Sequence, residues 1–200
     1  MVRKNGILTV KKRCRSGKEV KLPIFFSFRE RREGELIKIG ELSPPGVESA
    51  LLKVREFVIK EPLTGLLIKA AVLGGKGELS VELLPEKRVE NRAHNRFAFC
   101  PEEFGEFTLL KDGAPVGRAE IADISLSGLR LNVEGGGKIK PGEPLLVTQG
   151  TKVIELLPIR VLKEGSSITV GGRILNSNFC LIKFVIDKYI KVVGELLKTP

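Results

Sequence analysis

The stretch Asp123-Ile124-Ser125-Leu126-Ser127-Gly128-Leu129-Arg130-Leu131-Asn132-Val133 alternates apolar and polar side chains, and its phase slips at the glycine. Before Gly128 the apolar positions are Ile124 and Leu126; after it they are Leu129, Leu131 and Val133. A period of two is the mark of a strand with one buried face. A slip of one residue needs a bulge or a sharp turn, which glycine tolerates. If the first part is extended, Asp123, Ser125 and Ser127 share a face and raise a carboxylate and hydroxyls beside a kink on the outside of a β structure. The same spacing also fits an Asx or Ser turn at a strand end.

The rest of the chain follows the same period. Short runs rich in Val, Ile, Leu and Phe cover 22–28, 34–40, 65–73, 77–84, 96–100, 107–110, 116–123, 128–133, 144–148, 153–162 and 167–174. Turn signals separate them: SPPG at 43–46, LGGKG at 73–77, KDG at 111–113, EGGG at 134–137 and KPGE at 140–143. The expectation is an all-β chain of barrel or sandwich type. Residues 48–57 (ESALLKVREF) fit a short helix or another strand. From Ile182 to Leu197 the apolar residues recur at three and four, which predicts an amphipathic helix interrupted only by Gly194. Alternation lapses in LLPEKRVENRAHNR, so a two-barrel organisation is expected, with domains 1–87 and 88–200.

The formal net charge is +10. Residues 1–100 carry 21 Lys and Arg against 12 Asp and Glu, and residues 101–200 carry 13 against 12. The basic excess therefore sits in the first half, densest at Lys11, Lys12, Arg13, Arg15, Lys18 and Lys21, and attracts anions without choosing among them. No apolar run reaches the ~20 residues of a membrane span, and MVRKNGILTVKKRCR is unlike a secretion signal, so a cytoplasmic protein is expected. Cys14, Cys100 and Cys180 are far apart and odd in number, which reads as reduced, mostly buried thiols.

Arg88, Arg92 and Arg96 recur every four residues, a spacing that returns to one side in a helix and in a strand alike. Guanidinium groups there could grip phosphate, the O6/N7 edge of guanine or a base face. They could equally form a solvated hinge paired with Glu86 and Glu90. The lone histidine, His94, has no partners for a metal site or a triad. LGGKGE at 73–78 and GGGKIK at 135–140 lack the phosphate-loop arrangement. Glu102, Glu103 and Glu106 read as a solvated run. No catalytic residue, metal ligand or cofactor site is expected.

Taken together, Arg-x-x-x-Arg at 92–96 and Asp-x-Ser-x-x-Gly at 123–128 resemble the bipartite signature of the PilZ family of cyclic di-GMP receptors. The resemblance covers about residues 88–186. It implies a six-stranded antiparallel barrel whose outer face holds cyclic di-GMP, with an N-terminal β domain of the flagellar-brake type before it. Arg92 and Arg96 would hold guanine edges and phosphates, Asp123 would read the base, Ser125 would meet phosphate or sugar, and Gly128 would allow close approach. Asn91 stands where many relatives have an arginine, for which Arg88 could substitute, and Leu181-Ile182-Lys183-Phe184 stands where the family's last strand often carries a glycine. The implied function is a non-enzymatic effector that changes its interdomain arrangement on binding and engages a protein partner, a flagellar motor component among the candidates. Two other readings stand beside it: a nucleic-acid-binding barrel, and a PilZ-fold adaptor that ignores nucleotide.

Overall fold

A computed structural model describes residues 3–33, 36–61, 64–89, 95–135, 137–165 and 167–198. Chain contacts divide it into two units: residues 1–11, 21–93 and 193–200, and residues 12–20 and 94–192.

The first unit is built on β1 (Arg3–Arg13), β2 (Glu19–Glu33), β3 (Leu36–Ser43), β4 (Glu56–Lys60), β5 (Leu66–Lys76) and β6 (Glu78–Val89), closed as β1-β2-β3-β6-β5-β4. On β2 the alternation of KLPIFFSF buries Leu22, Ile24, Phe26 and Phe28. The rings of Phe26, Phe28 and Phe57 lie 5.5–6.0 Å apart and fill the barrel. Gly6 makes room for them, because a Cβ there would stand 2.3 Å from the Phe26 ring. The segment 48–57, open between helix and strand, is mainly helix, α1 (Val47–Val54), and only its last two residues enter β4. β6 runs on to Val89, past Leu84 where alternation stops. Pro85 falls where the pairing with β5 slips between Ile68 and Ala70, an irregularity at which a residue without N–H is tolerated.

The second unit contains β7 (Phe97–Ala98), a short helix α2 (Pro101–Phe104), β8 (Glu106–Lys111), β9 (Ala114–Ile124), β10 (Gly128–Glu134), β11 (Leu145–Gln149), β12 (Lys152–Glu164) and β13 (Ser167–Ser177). The sheet order β10-β13-β12-β11-β8-β9 is joined end to end by the β9–β10 pairing, so six antiparallel strands close a barrel, as expected. β7 pairs with the end of β9 beyond β8. Asp112 and Gly113, both at positive φ, make the two-residue turn between β8 and β9.

α3 (Leu181–Lys198) follows the barrel. Leu181–Phe184 is its first turn and not a last strand. Within the second unit it buries Val185 and Val192 and sets Phe184 against Phe104 (5.3 Å) and Tyr189 against Phe97 (4.9 Å). Ile182, Ile186 and Ile190, which the period assigns to the apolar face, are exposed. No helix among the described residues is long and apolar enough to cross a membrane.

The cysteines depart from expectation. Cys14 and Cys100 are buried but form a disulfide, with Cα atoms 5.3 Å apart, inside the usual range. Their separation of 86 residues gives no pairing signal in the sequence. Cys180 is free and exposed. The acidic run departs likewise: Glu102 accepts the Arg15 N–H at 2.7 Å and Glu103 pairs with Lys12.

Candidate functional site

The slip in DISLSGLRLNV is a hairpin. β9 ends at Ile124, residues 125–127 turn, and β10 begins at Gly128. Ser125 is buried, and its hydroxyl is spent on the turn: Oγ accepts the Gly128 N–H at 3.0 Å and lies 3.2 Å from the Gly128 carbonyl oxygen. Of the two readings the spacing allowed, the serine turn is the one present. The extra residue sits on β9 at Ala122, where the β9–β10 register shifts from Arg130↔Asp123 to Leu131↔Ile121. Gly128 has no positive φ; a Cβ there would stand 3.2 Å from the Gly172 carbonyl oxygen, so the close approach of β13 leaves little room for a side chain.

Cross-strand partners in an antiparallel sheet point to the same face. Leu129 with Ile124 and Leu131 with Ile121 are buried pairs facing the core. Asp123 and Arg130, partners of each other, therefore stand on the outer face. The carboxylate is nonetheless only 9% exposed, because two guanidinium groups cover it. Arg96 Nη1 lies 3.3 Å from Oδ1, and Arg130 Nε lies 2.6 Å from Oδ2. Each arginine is about half exposed, so each has donors turned to solvent. The arrangement is a carboxylate that holds two cationic forks side by side, which suits an anion with several oxygens.

The structure thus brings Arg96, Asp123, Ser125 and Gly128 together at the β9–β10 hairpin. Asn91, Arg92 and His94 lie outside the described residues. Arg88 stands on β6 in the first unit, opposite Leu67, and lines a shallow cleft with Val58, Lys69, Glu86 and Lys87. Arg130 was missed by motif reasoning, although its alternation with Leu129 and Leu131 already placed it on the outer face. A groove lined by Ile24, Ala50, Val54, Leu196 and Leu197 together with Lys11 and Lys53 belongs to the first unit and contains no predicted residue. Among the described residues the metal-ligating types that cluster are Cys14, Cys100 and Glu102, and the two sulfurs are bonded to each other.

The sequence matches no protein-family model and no curated protein. Solved structures similar to it include YcgR in complex with c-di-GMP from Escherichia coli (14% identity, 97% of this chain and 83% of that one, TM-score 0.36). Others are the Bacillus subtilis inhibitor of motility MotI/DgrA (10%, 99% and 98%, 0.37) and the K. pneumonia MrkH–c-di-GMP complex (13%, 98% and 87%, 0.36). At such identities and scores the likeness supplies no functional argument, which has to come from the side chains on the second barrel.

Proposed function

We propose that the chain is a PilZ-type effector that binds cyclic di-GMP on the outer face of the second barrel and passes the signal to a protein partner. One observation carries the reading: Arg96, from the segment leading into the barrel, and Arg130, from the barrel wall, are held on opposite oxygens of Asp123. Cyclic di-GMP presents two phosphodiesters and two guanines. Guanidinium forks match its phosphates and its guanine O6/N7 edges, and a carboxylate released from one arginine could accept from guanine N1 and N2. In this reading Arg88, Asn91 and Arg92 add to the grip, and binding changes how the domains 1–87 and 88–200 are arranged. Motility or another surface process is the output, and the chain acts without catalysis.

The aromatic side chains argue against the nucleic-acid alternative. Phe26, Phe28, Phe97 and Phe99 are all buried, so these rings are core and offer no stacking platform. Calorimetric titration with cyclic di-GMP tests the proposal. Saturable heat is expected from the native chain and its loss from R96A and D123A; no heat from the native chain at roughly tens of micromolar ligand, about 6–7 kcal/mol of binding free energy, rejects it.

A further inference from the structure

The outer face of the second barrel continues beyond Asp123 and Arg130. Register extends their row across two more strands: Arg130 on β10 faces Gly171 on β13, and Gly171 faces Arg160 on β12. In the neighbouring row Gly128 faces Arg173, which faces Leu157. The alternate positions of β13, Ile168 and Val170, are buried, so Gly171 and Arg173 point outward, and Arg160 shares their face as the partner of Gly171. Arg160 and Arg173 are exposed, and neither forms an ion pair among the described residues.

Gly171 is the residue that needs explaining. Its neighbour Gly172 has a structural reason, since a Cβ there would lie 2.7 Å from the Leu157 carbonyl oxygen and 2.8 Å from the Leu156 side chain. At Gly171 a Cβ would meet nothing within 4 Å, and φ is not positive. The bulged residue nearby is Ile159, on the other strand. Glycine inside a strand lowers stability and commonly marks a place where something approaches the backbone closely. Here the bare spot is bordered by Arg130 and Arg160, whose strands are about 10 Å apart, two strand spacings, and by Arg173 two residues along β13. Three guanidinium groups around a patch without a side chain form a shelf for a flat or compact anionic group. Asp123 stands at the far end of this row, and Glu120, opposite Asn132, stands in the next.

We infer that Arg130, Arg160 and Arg173 around Gly171 form a second anion subsite that holds a further phosphate-bearing part of the nucleotide bound at Arg96 and Asp123. The inference rests on the proposed cyclic di-GMP reading and extends its site from the β9–β10 hairpin to β12.

The test is titration of the full chain with cyclic di-GMP, comparing native protein with R160Q, R173Q and G171V, each checked for an unchanged far-ultraviolet spectrum and melting curve. Valine suits a strand and meets open space, so G171V should fold; the two glutamine variants are surface changes and keep the test valid if it does not. Expected are losses of affinity of about tenfold for each arginine, the effect of removing one charged hydrogen bond, and a larger loss for G171V. A native chain that binds while R160Q and R173Q stay within twofold of it would overturn the subsite and leave the hairpin site standing. A native chain that gives no heat would overturn both.

Discussion

The two barrels are made of the same number of strands, closed in the same antiparallel way, yet they treat surface charge differently. The first half of the sequence carries nearly all the basic excess. Much of that charge on the first barrel is neutralised locally: Lys4 with Glu30, Arg29 with Glu41, Arg31 with Glu33 and Glu78, and Lys69 with Glu56 and Glu86. Most of the dense basic run, Lys12 to Lys18, belongs with Arg96 to the second unit, whose barrel gathers Arg96, Arg130, Arg160 and Arg173 toward one outer face around Asp123. By unit the excess is shared, with 17 basic against 12 acidic residues in each, so total charge selects neither barrel. What sets the proposed binding face apart is cations without one acid apiece, beside backbone that carries no side chain.

Four changes probe that contrast. The largest acts on the second unit, because both cysteines of the disulfide lie within it. Reduction, or C100S, is expected to lower unfolding stability by about 2–4 kcal/mol, the usual effect of removing a native crosslink. Denaturant melts with and without reductant would show it, and identical midpoints would mean that the bond contributes nothing. D123A comes next: with its two arginines no longer held side by side, affinity for cyclic di-GMP should fall about tenfold or more. R29A on the first barrel should bind like the native chain, and equal losses in the two variants would erase the distinction between the barrels. G46A affects only the first unit. Gly46 has φ +88°, and a Cβ would stand 2.6 Å from the Leu197 carbonyl oxygen, so a loss of about 1–2 kcal/mol is expected in a thermal melt.

The smallest effect concerns the partly exposed pair Lys111–Glu143 on the second unit. A hydrogen bond from Lys111 holds the Glu143 carboxyl below its ordinary value of 4.5. Folded protein then binds fewer protons than the unfolded chain in that region, so the stabilisation is present above pH 4.5 and vanishes as pH falls through the lower folded value. K111M should leave neutral-pH stability almost unchanged and slightly flatten the acid limb of a stability–pH curve. A large shift at pH 7 would contradict a solvent-screened pair.

Strand content, the closing helix and most turn positions could be read from the sequence, because period and glycine punctuation are local properties. The residues 3–13 and 56–60 were not singled out as strands: Lys-Lys-Arg and Lys-Glu positions dilute the alternation, and only pairing with neighbours settles them. The hairpin at Ser125 was one of two open readings; hydrogen bonds of its hydroxyl to Gly128 decide it, and no spacing rule carries that information. Asp123 was visible as a site residue, whereas Arg130 became one only through register with β9. Arg160 and Gly171 could not be found without knowing that β12 and β13 pair across the Ile159 bulge. The same holds for Cys14 and Cys100, whose meeting is wholly tertiary.

That meeting has a topological outcome. Because Cys14 is joined to Cys100, residues 14–100 form a closed covalent loop that includes β2 to β6 entire. A protease that cuts once anywhere in the loop, for instance in the turn at Gly77, opens the ring without releasing a fragment. On a denaturing gel the nicked chain would run as a single species until a thiol reagent is added, and only then as two.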